Sequence, residues 1–232
     1  FDASDALAQT TLSAYLISFA VMQLFYGPIS DKYGRRPLII FGAVIYIAGS
    51  AYCMFAPTLE HLIFARVMQA FGAACTLVVS RAVIRDSFDG TDLQRVMTLT
   101  AMVFALVPGL SPLMGGIVAD LAGWRNTFLV AGGLGVIVLA LVLWRLPETL
   151  PRDNMRTRSI GDLMQGYVEV LSSRRFRRYA LAGAFAMGGI FAFFGASPKI
   201  FIEILGVSPT EYGFYPPAAS TGFIIGGAIV GR

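Results

Sequence analysis

Charged side chains that could form a reversible gate are concentrated in one short segment of this sequence. The segment GPISDKYGRRP, residues 27–37, carries four charges within six positions: Asp31, Lys32, Arg35 and Arg36. Glycines and prolines that favour a tight turn surround them: Gly27, Pro28, Gly34 and Pro37. Charges at helix ends contribute about 0.3–1 kcal/mol each, so ion pairs here can break and re-form during a conformational change.

A second candidate for chemistry is Arg66, which interrupts the apolar segment 61–81. A lone cation inside a membrane span costs about 3 kcal/mol or more at mid-depth, so it should face a cavity or the protein interior. Helical spacing places small or polar residues near the same face: Gln69, Ala70, Ala73, Leu77 and Ser80. The alternative is that Arg66 extends to the outer surface, because it lies only about a turn and a half from the outer helix end.

Metal and enzyme chemistry have little support in the sequence. Cys53 and Cys75 lie in apolar runs, and no metal-ligand spacing occurs, so we predict no metal and no cofactor. Catalysis inside a membrane requires positioned acids or nucleophiles at depth. Arg66 is the only charged residue clearly inside an apolar segment, so we predict that the protein is not an enzyme.

The composition indicates that these residues are held by membrane-spanning helices. Hydrophobic residues make up 56% of the chain and charged residues only 14%, which does not fit a globular surface. A hydrocarbon core of ~30 Å takes about 20 apolar residues as a helix. We therefore predict an all-α, polytopic membrane protein with seven spans, near residues 6–30, 38–56, 61–81, 96–119, 126–144, 179–200 and 212–231.

The distribution of basic residues predicts the orientation of these spans. The segments 31–37, 81–95 and 145–178 hold fourteen Lys and Arg residues, and the alternate loops hold two, Arg125 and Lys199. The positive-inside rule therefore predicts that residues 31–37, 82–95 and 145–178 are cytoplasmic. Orientation explains the net charge of +4, so we expect a lipid bilayer and no nucleic acid as partner. An external N-terminus also leads us to expect a helix before Phe1, and the chain end at Arg232 looks cut.

One long polar segment separates five predicted spans from two. Its first part, PETLPRDNMRTR, has the composition of an unstructured linker, and helical spacing predicts an amphipathic helix from Ser159. That helix is either a connector on the inner membrane face or a partner-binding motif. The sequence RRFRRY at 174–179 is either the cytoplasmic anchor of the next span or a lipid-head-group site.

The segment at 27–36 resembles a signature of a known transporter family. Gly27-x-x-Ser30-Asp31-Lys32-x-Gly34-Arg35-Arg36 is similar to the G-x-L-[SAG]-D-[RK]-x-G-R-[RK] motif of the major facilitator superfamily, with Ile29 in place of Leu. The resemblance implies helices two to eight of a twelve-helix fold. It divides the chain into an N-terminal bundle (1–146), a cytoplasmic linker (147–177) and the start of a C-terminal bundle (178–232).

Two further motifs resemble the same family. RVMQAFG at 66–72 is similar to the R-x-x-Q-G motif, which implies that Arg66 and Gln69 line the central cavity and take part in proton coupling. SPLMGG resembles the G-P-x-x-G-G core found in drug/proton antiporters. It implies a helix-packing hinge in the fourth predicted span: Pro108, Gly109, Pro112, Gly115 and Gly116. We expect this span to pack against Gly222, Gly226, Gly227 and Gly231 of the last one.

The residues 80–95 contain the expected partner of the first charged segment. Asp86, Asp89 and Asp92 alternate with Arg81, Arg85 and Arg95, which would fit a solvated loop with weak ion pairs. The family resemblance instead implies that Asp86 or a neighbouring Arg pairs with Asp31 and Arg35 and locks an outward-open state.

The combined motifs are most similar to the bicyclomycin and chloramphenicol resistance (Bcr/CflA) branch of bacterial drug/proton antiporters. The resemblance implies proton-coupled efflux of small hydrophobic compounds across the bacterial inner membrane, by alternating access and as a monomer when full length. Its titrating carboxylate would lie in the family's first helix, which this sequence does not contain. Two alternatives are an exporter of one specific metabolite and, more distantly, a non-transporting membrane protein or an enzyme.

Overall fold

The computed structural model describes residues 5–150 and 160–215, and both ranges are largely helical. The first range contains α1 (Asp5–Tyr33), α2 (Arg35–Phe55), α3 (Leu59–Ser87), α4 (Gly90–Ala122) and α5 (Arg125–Arg145). The second contains α6 (Ile160–Ser172), α7 (Arg174–Pro198), a π-helical segment (Lys199–Ile204) and the short α8 (Pro209–Tyr212). The prediction of an all-α fold is confirmed.

Most of the predicted spans correspond to helices long enough to cross a bilayer. Within the described residues, five helical segments have the required length and hydropathy: Gln9–Tyr33, Arg35–Phe55, Leu59–Ser87, Arg125–Arg145 and Arg174–Ile204. The predicted span 96–119 lies inside α4, where Leu110–Ala122 is a shorter apolar segment. The predicted span 212–231 falls largely outside the described residues.

The connections between helices are shorter than the sequence patterns predicted. Helix α1 continues through Pro28 to Tyr33, beyond the predicted end of the first span near residue 30. Only Gly34 separates α1 from α2, and its φ of 96° is a left-handed conformation that glycine adopts without strain. Pro37 lies in the first turn of α2, where its missing N–H has no helical partner to lose.

The segment 82–95 is also more helical than expected. Helix α3 extends to Ser87 and α4 begins at Gly90, which leaves only Phe88 and Asp89 outside a helix. The interpretation of this segment as a loop is therefore wrong. Because α3 continues beyond the apolar segment, the side chain of Asp86 is fixed on a helix and not on a mobile loop.

Contacts between Cα atoms group α1, α2, α3 and α5 into one unit, made of residues 1–100 and 121–157. Within it α3 packs on α1 and α2, and α2 also packs on α5. A buried apolar cluster joins the first three helices: Tyr26, Leu38, Ile39, Ala74, Cys75 and Val79. A Cβ at Gly72 would collide with the backbone of Gly42 and Tyr46, so α2 and α3 approach to backbone contact at this glycine.

Residues 101–120 and 158–232 form the second unit. Helix α6 begins one residue after Ser159, the predicted start of the amphipathic helix, and Ser173 then caps α7 by accepting a hydrogen bond from the Phe176 amide at 3.4 Å. The buried Ser197 and Tyr212 hydroxyls lie 2.6 Å apart. The division into residues 1–146, 147–177 and 178–232 stays a prediction.

Candidate functional site

Three charged side chains from three helix ends meet beside the junction of α1 and α2. Arg35 Nη1 lies 2.7 Å from Asp31 Oδ1, and Arg35 Nε donates to Asp86 Oδ2 at 2.8 Å. The Arg35 side chain is only 8% exposed, whereas those of Asp31 and Asp86 are 42% and 22% exposed. We call these three residues the ion-pair cluster. Asp31 comes from the last turn of α1, Arg35 from the first turn of α2 and Asp86 from the last turn of α3.

Ser30 completes the surroundings of the Arg35 guanidinium. Its hydroxyl donates to the Gly27 carbonyl at 2.8 Å and accepts a hydrogen bond from Arg35 Nη1. Ser30 is fully buried, so the guanidinium has a buried hydroxyl acceptor in addition to the two carboxylates. Removing one partner of a buried ion pair typically costs 3–5 kcal/mol, because an uncompensated charge remains. The cluster therefore joins the ends of α1, α2 and α3.

Glu148, just beyond the end of α5, caps the start of α2. Its Oε1 accepts hydrogen bonds from the amides of Arg35 at 2.9 Å and Leu150 at 3.0 Å, and Oε2 accepts from the Arg36 amide at 3.1 Å. Partial burial opposes ionisation, but the amide hydrogen bonds outweigh it and lower the pKa of the Glu148 carboxyl below its usual value. The carboxylate thus satisfies amides that would have no partner at the start of a helix.

Gly34 makes this capping contact possible. A Cβ at Gly34 would lie 2.6 Å from Glu148 Oε2 and would displace this carboxylate, and the positive φ there also favours glycine. Of the remaining predicted gate residues, Lys32 lies over the Tyr33 ring at 5.1 Å, and Arg36 donates to the Leu143 carbonyl at 3.1 Å. Neither joins the ion-pair cluster. Gly27 contributes its carbonyl, and no atom of the described residues lies within 4 Å of a Cβ built there.

Arg66 occupies a second site between α1, α3 and α5. Its guanidinium carbon lies 4.3 Å from the centre of the Tyr15 ring and 5.7 Å from that of Phe128. Arg66 Nη1 donates to Gln69 Oε1 at 2.5 Å. No carboxylate of the described residues forms an ion pair with Arg66. The aromatic rings therefore carry much of the stabilisation of this charge, through cation–π contacts worth about 0.5–2 kcal/mol each.

A chain of hydrogen bonds fixes the orientation of Gln69. The side chain is 2% exposed, and its Nε2 donates to Ser50 Oγ at 2.8 Å. The Ser50 hydroxyl in turn donates to the Tyr46 carbonyl at 2.8 Å. The amide oxygen of Gln69 is therefore left to accept from Arg66. We call Tyr15, Ser50, Arg66, Gln69 and Phe128 the Arg66 cluster.

Helix α3 carries a residue of each site. Arg66 and Asp86 are separated by twenty residues, which corresponds to about 30 Å along an α-helix. A tilt or rotation of α3 would therefore affect both sites.

The predicted hinge residues all lie within α4. Pro108, Gly109, Pro112, Gly115 and Gly116 fall in the continuous helix Gly90–Ala122. Among the described residues, no atom lies within 4 Å of a Cβ built at Gly115. The expected partner face, at residues 222–231, lies outside the described residues, so the predicted packing is not tested.

Comparison with known proteins assigns the chain to a family. The model of the Major Facilitator Superfamily matches residues 1–232, the whole chain. The chain belongs to the Major Facilitator Superfamily. With its long apolar helices, it is a multi-pass membrane protein of a transporter family.

Relatives within the Major Facilitator Superfamily include proteins named for drug resistance. The chain is 34% identical to an uncharacterized MFS-type transporter, YdgK, of Bacillus subtilis, over 99% of this chain and 58% of that protein. It is 29% identical to a bicyclomycin resistance protein homolog of Haemophilus influenzae (92% and 54%) and 30% identical to multidrug resistance protein MdtL of Escherichia coli (91% and 53%). The chain thus spans slightly more than half the length of these curated relatives.

The sequence motifs of this superfamily member did not identify every residue at the two sites. The composition of PETLPRDNMRTR places Glu148 in an unstructured linker, whereas in the structure Glu148 caps the start of α2. No motif points to Tyr15 or Phe128. An aromatic residue in an apolar helix carries no signal that distinguishes a cation–π partner from a lipid-facing side chain.

Proposed function

We propose that this protein works as a proton-coupled exporter of small hydrophobic compounds, using alternating access in the bacterial inner membrane. The names of two relatives, a bicyclomycin resistance protein homolog and a multidrug resistance protein, support drug-like substrates. Each substrate would be exchanged for protons. The protein would act as a monomer, with a bundle at 1–146 and a second bundle from 178 joined by the cytoplasmic linker 147–177.

The observation that carries this proposal is the position of Arg66. A cation held between α1, α3 and α5, paired with no carboxylate of the described residues, lowers the pKa of any carboxyl brought beside it. A substrate that approached Arg66 would change this interaction, and the carboxyl would then gain or lose a proton. The carboxyl itself is expected in the family's first helix. Gln69 holds Arg66 in place for this exchange.

The ion-pair cluster is proposed to act as the cytoplasmic gate. With Asp31, Arg35 and Asp86 joined, the ends of α1, α2 and α3 are held together, which favours the outward-open state. Gly34 permits the tight junction of α1 and α2, and Gly27 accepts the hydrogen bond from the Ser30 hydroxyl. Lys32 and Arg36 supply positive charge at the same end of the unit, which favours the cytoplasmic side.

The glycines and prolines of α4 are proposed to form a hinge against the second bundle. Gly115 and Gly116 expose backbone, and Pro112 and Pro108 each remove a helical hydrogen bond. Bending at this place would let the two bundles rock about a central substrate site.

The test is proton release by the purified full-length protein in detergent when a panel of neutral and cationic drugs is added. We expect release with at least one compound, and loss of release in Arg66→Ala while substrate binding persists. Arg66→Lys keeps the charge but loses the planar stacking on Tyr15, so it separates the contribution of the charge from that of the stacking. Measurable binding without proton release by any compound would overturn proton exchange, and unchanged release in Arg66→Ala would overturn the role of Arg66.

A further inference from the structure

A groove lies between the start of α2 and the end of α5, outside both clusters. It has a volume of about 430 Å³ and is lined by Arg36 and residues 143–148. The lining includes two guanidinium groups, those of Arg36 and Arg145, and the indole of Trp144. The proposed transport mechanism makes no use of this groove.

The two cations of the groove have no acidic ion-pair partner within the part of the chain that the structure describes. Arg36 Nη2 donates to the Leu143 carbonyl at 3.1 Å, and the Arg145 guanidinium lies 4.2 Å from the centre of the Trp144 ring. Neither guanidinium has an ion-pair partner among the described residues. Glu148 also lines the groove, but its oxygens already accept backbone amides. The groove therefore favours an anion.

The surroundings of the groove indicate where such an anion comes from. Leu141 and Leu143 are each 52% exposed and Trp144 is 71% exposed, although α5 is long and apolar enough to span a membrane. These exposed apolar side chains are available for contact with lipid, and tryptophan favours the interface between acyl chains and headgroups. Arg145 ends α5, so the groove opens at the headgroup level of this span, beside the exposed apolar side chains. A phospholipid satisfies both features, because it presents a phosphate together with acyl chains.

We propose that this groove binds an anionic phospholipid, with Arg36 and Arg145 contacting the phosphate and Trp144 packing against the upper acyl chains. Such a lipid joins the first turn of α2 to the last turn of α5. Arg36 is adjacent in sequence to Arg35 of the ion-pair cluster, so an occupied groove stabilises the arrangement in which that cluster forms. Binding does not depend on the transport proposal and can be tested separately.

The experiment compares retention of phosphatidylglycerol and phosphatidylcholine with identical acyl chains on the purified full-length protein, by native mass spectrometry. We expect preferential retention of phosphatidylglycerol, reduced about fivefold in Arg145→Gln, the effect of losing one basic contact to an anionic headgroup. Trp144→Leu should weaken both lipids. The matched control is Arg81→Gln, which removes one positive charge from an exposed position on α3 and should leave the preference unchanged.

Three results would overturn the proposal. Equal retention of the two lipids would show that the charge of the headgroup does not determine binding. An equal loss in Arg81→Gln and Arg145→Gln would show that only the net charge of the protein matters. Displacement of phosphatidylglycerol by millimolar inorganic phosphate alone would assign the groove to a free anion. Melting temperatures of all variants, measured without added lipid, identify any variant that fails to fold. If Arg145→Gln fails to fold, the retention of both lipids by Trp144→Leu decides the test.

Discussion

Neutralising Asp86 is the sharpest test of the ion-pair cluster. The substitution Asp86→Asn keeps the size of the side chain and an acceptor for Arg35 Nε, but removes the charge of the 2.8 Å ion pair. Arg35 remains nearly buried and retains Asp31 at 2.7 Å. The locked arrangement of α1, α2 and α3 is then weakened, while the helices themselves are unaffected.

The size of the effect follows from the geometry. Two unit charges about 4 Å apart attract by ~4 kcal/mol at an effective dielectric constant of about 20. Asp86 is 22% exposed, Asn keeps a hydrogen bond, and Asp31 still compensates Arg35, so about half of this energy should be lost. A loss of ~2 kcal/mol shifts the equilibrium between locked and released states about 30-fold.

Thiol labelling measures this shift in the full-length protein. A cysteine at Leu77 lies on the face of α3 that also carries Arg66, and a maleimide added from the cytoplasmic side reports opening of that face. The native Cys53 and Cys75 are both buried, so they add little background. We expect labelling of Leu77→Cys to be about ten- to thirtyfold faster with Asp86→Asn. The charge swap Arg35→Asp with Asp86→Arg should recover part of the slow labelling.

Two outcomes would refute this reasoning. Equal labelling rates with and without Asp86→Asn would mean that the ion pair does not hold the gate closed. Purely additive effects of the two charge reversals would mean that Arg35 and Asp86 act independently. Asp89→Asn is the matched control, because it removes an acid from the short α3–α4 connection and should leave the rate unchanged.

Three further predictions concern stability and the Arg66 cluster. Because the folded-state pKa of Glu148 is lowered, its ionised form stabilises the fold above the unfolded pKa, and this stabilisation is lost as pH falls through the lower folded value. The melting temperature of Glu148→Gln should thus be below wild type near neutral pH and approach it below about pH 4; a constant difference would contradict the capping role. Gly72→Ala should lower the free energy of unfolding by about 1–3 kcal/mol in denaturant titrations, because the added Cβ separates α2 from α3. The control Gly133→Ala, with no described neighbour within 4 Å, should leave the free energy of unfolding nearly unchanged. Tyr15→Leu should reduce substrate-induced proton release about two- to thirtyfold while Tyr15→Phe retains it, because only the ring face contacts Arg66; equal losses in both would contradict the cation–π contact.

The sequence alone indicated the family, the charged residues of both clusters and five of the seven predicted spans as helices long enough to cross a bilayer. Composition and the length of apolar runs are local properties, and a bilayer imposes helices on such runs because each backbone group must find a partner. The motif at 27–36 also has a fixed local spacing. The helix ends could not be predicted in this way: the first span was expected to end near residue 30, yet α1 continues to Tyr33 and the chain turns at Gly34.

The family resemblance left Asp86 or a neighbouring Arg as the partner of Asp31 and Arg35, and the tertiary structure decided which of these residues meet. Arg35 contacts Asp86, 51 positions away, and its amide contacts Glu148, 113 positions away. Tyr15 and Phe128 reach Arg66 from two other helices. These contacts depend on how closely the helices pack and on their rotation about their axes. That packing is set by many weak contacts between distant residues, such as the backbone approach at Gly72. A local sequence pattern does not predict the combined effect of these contacts.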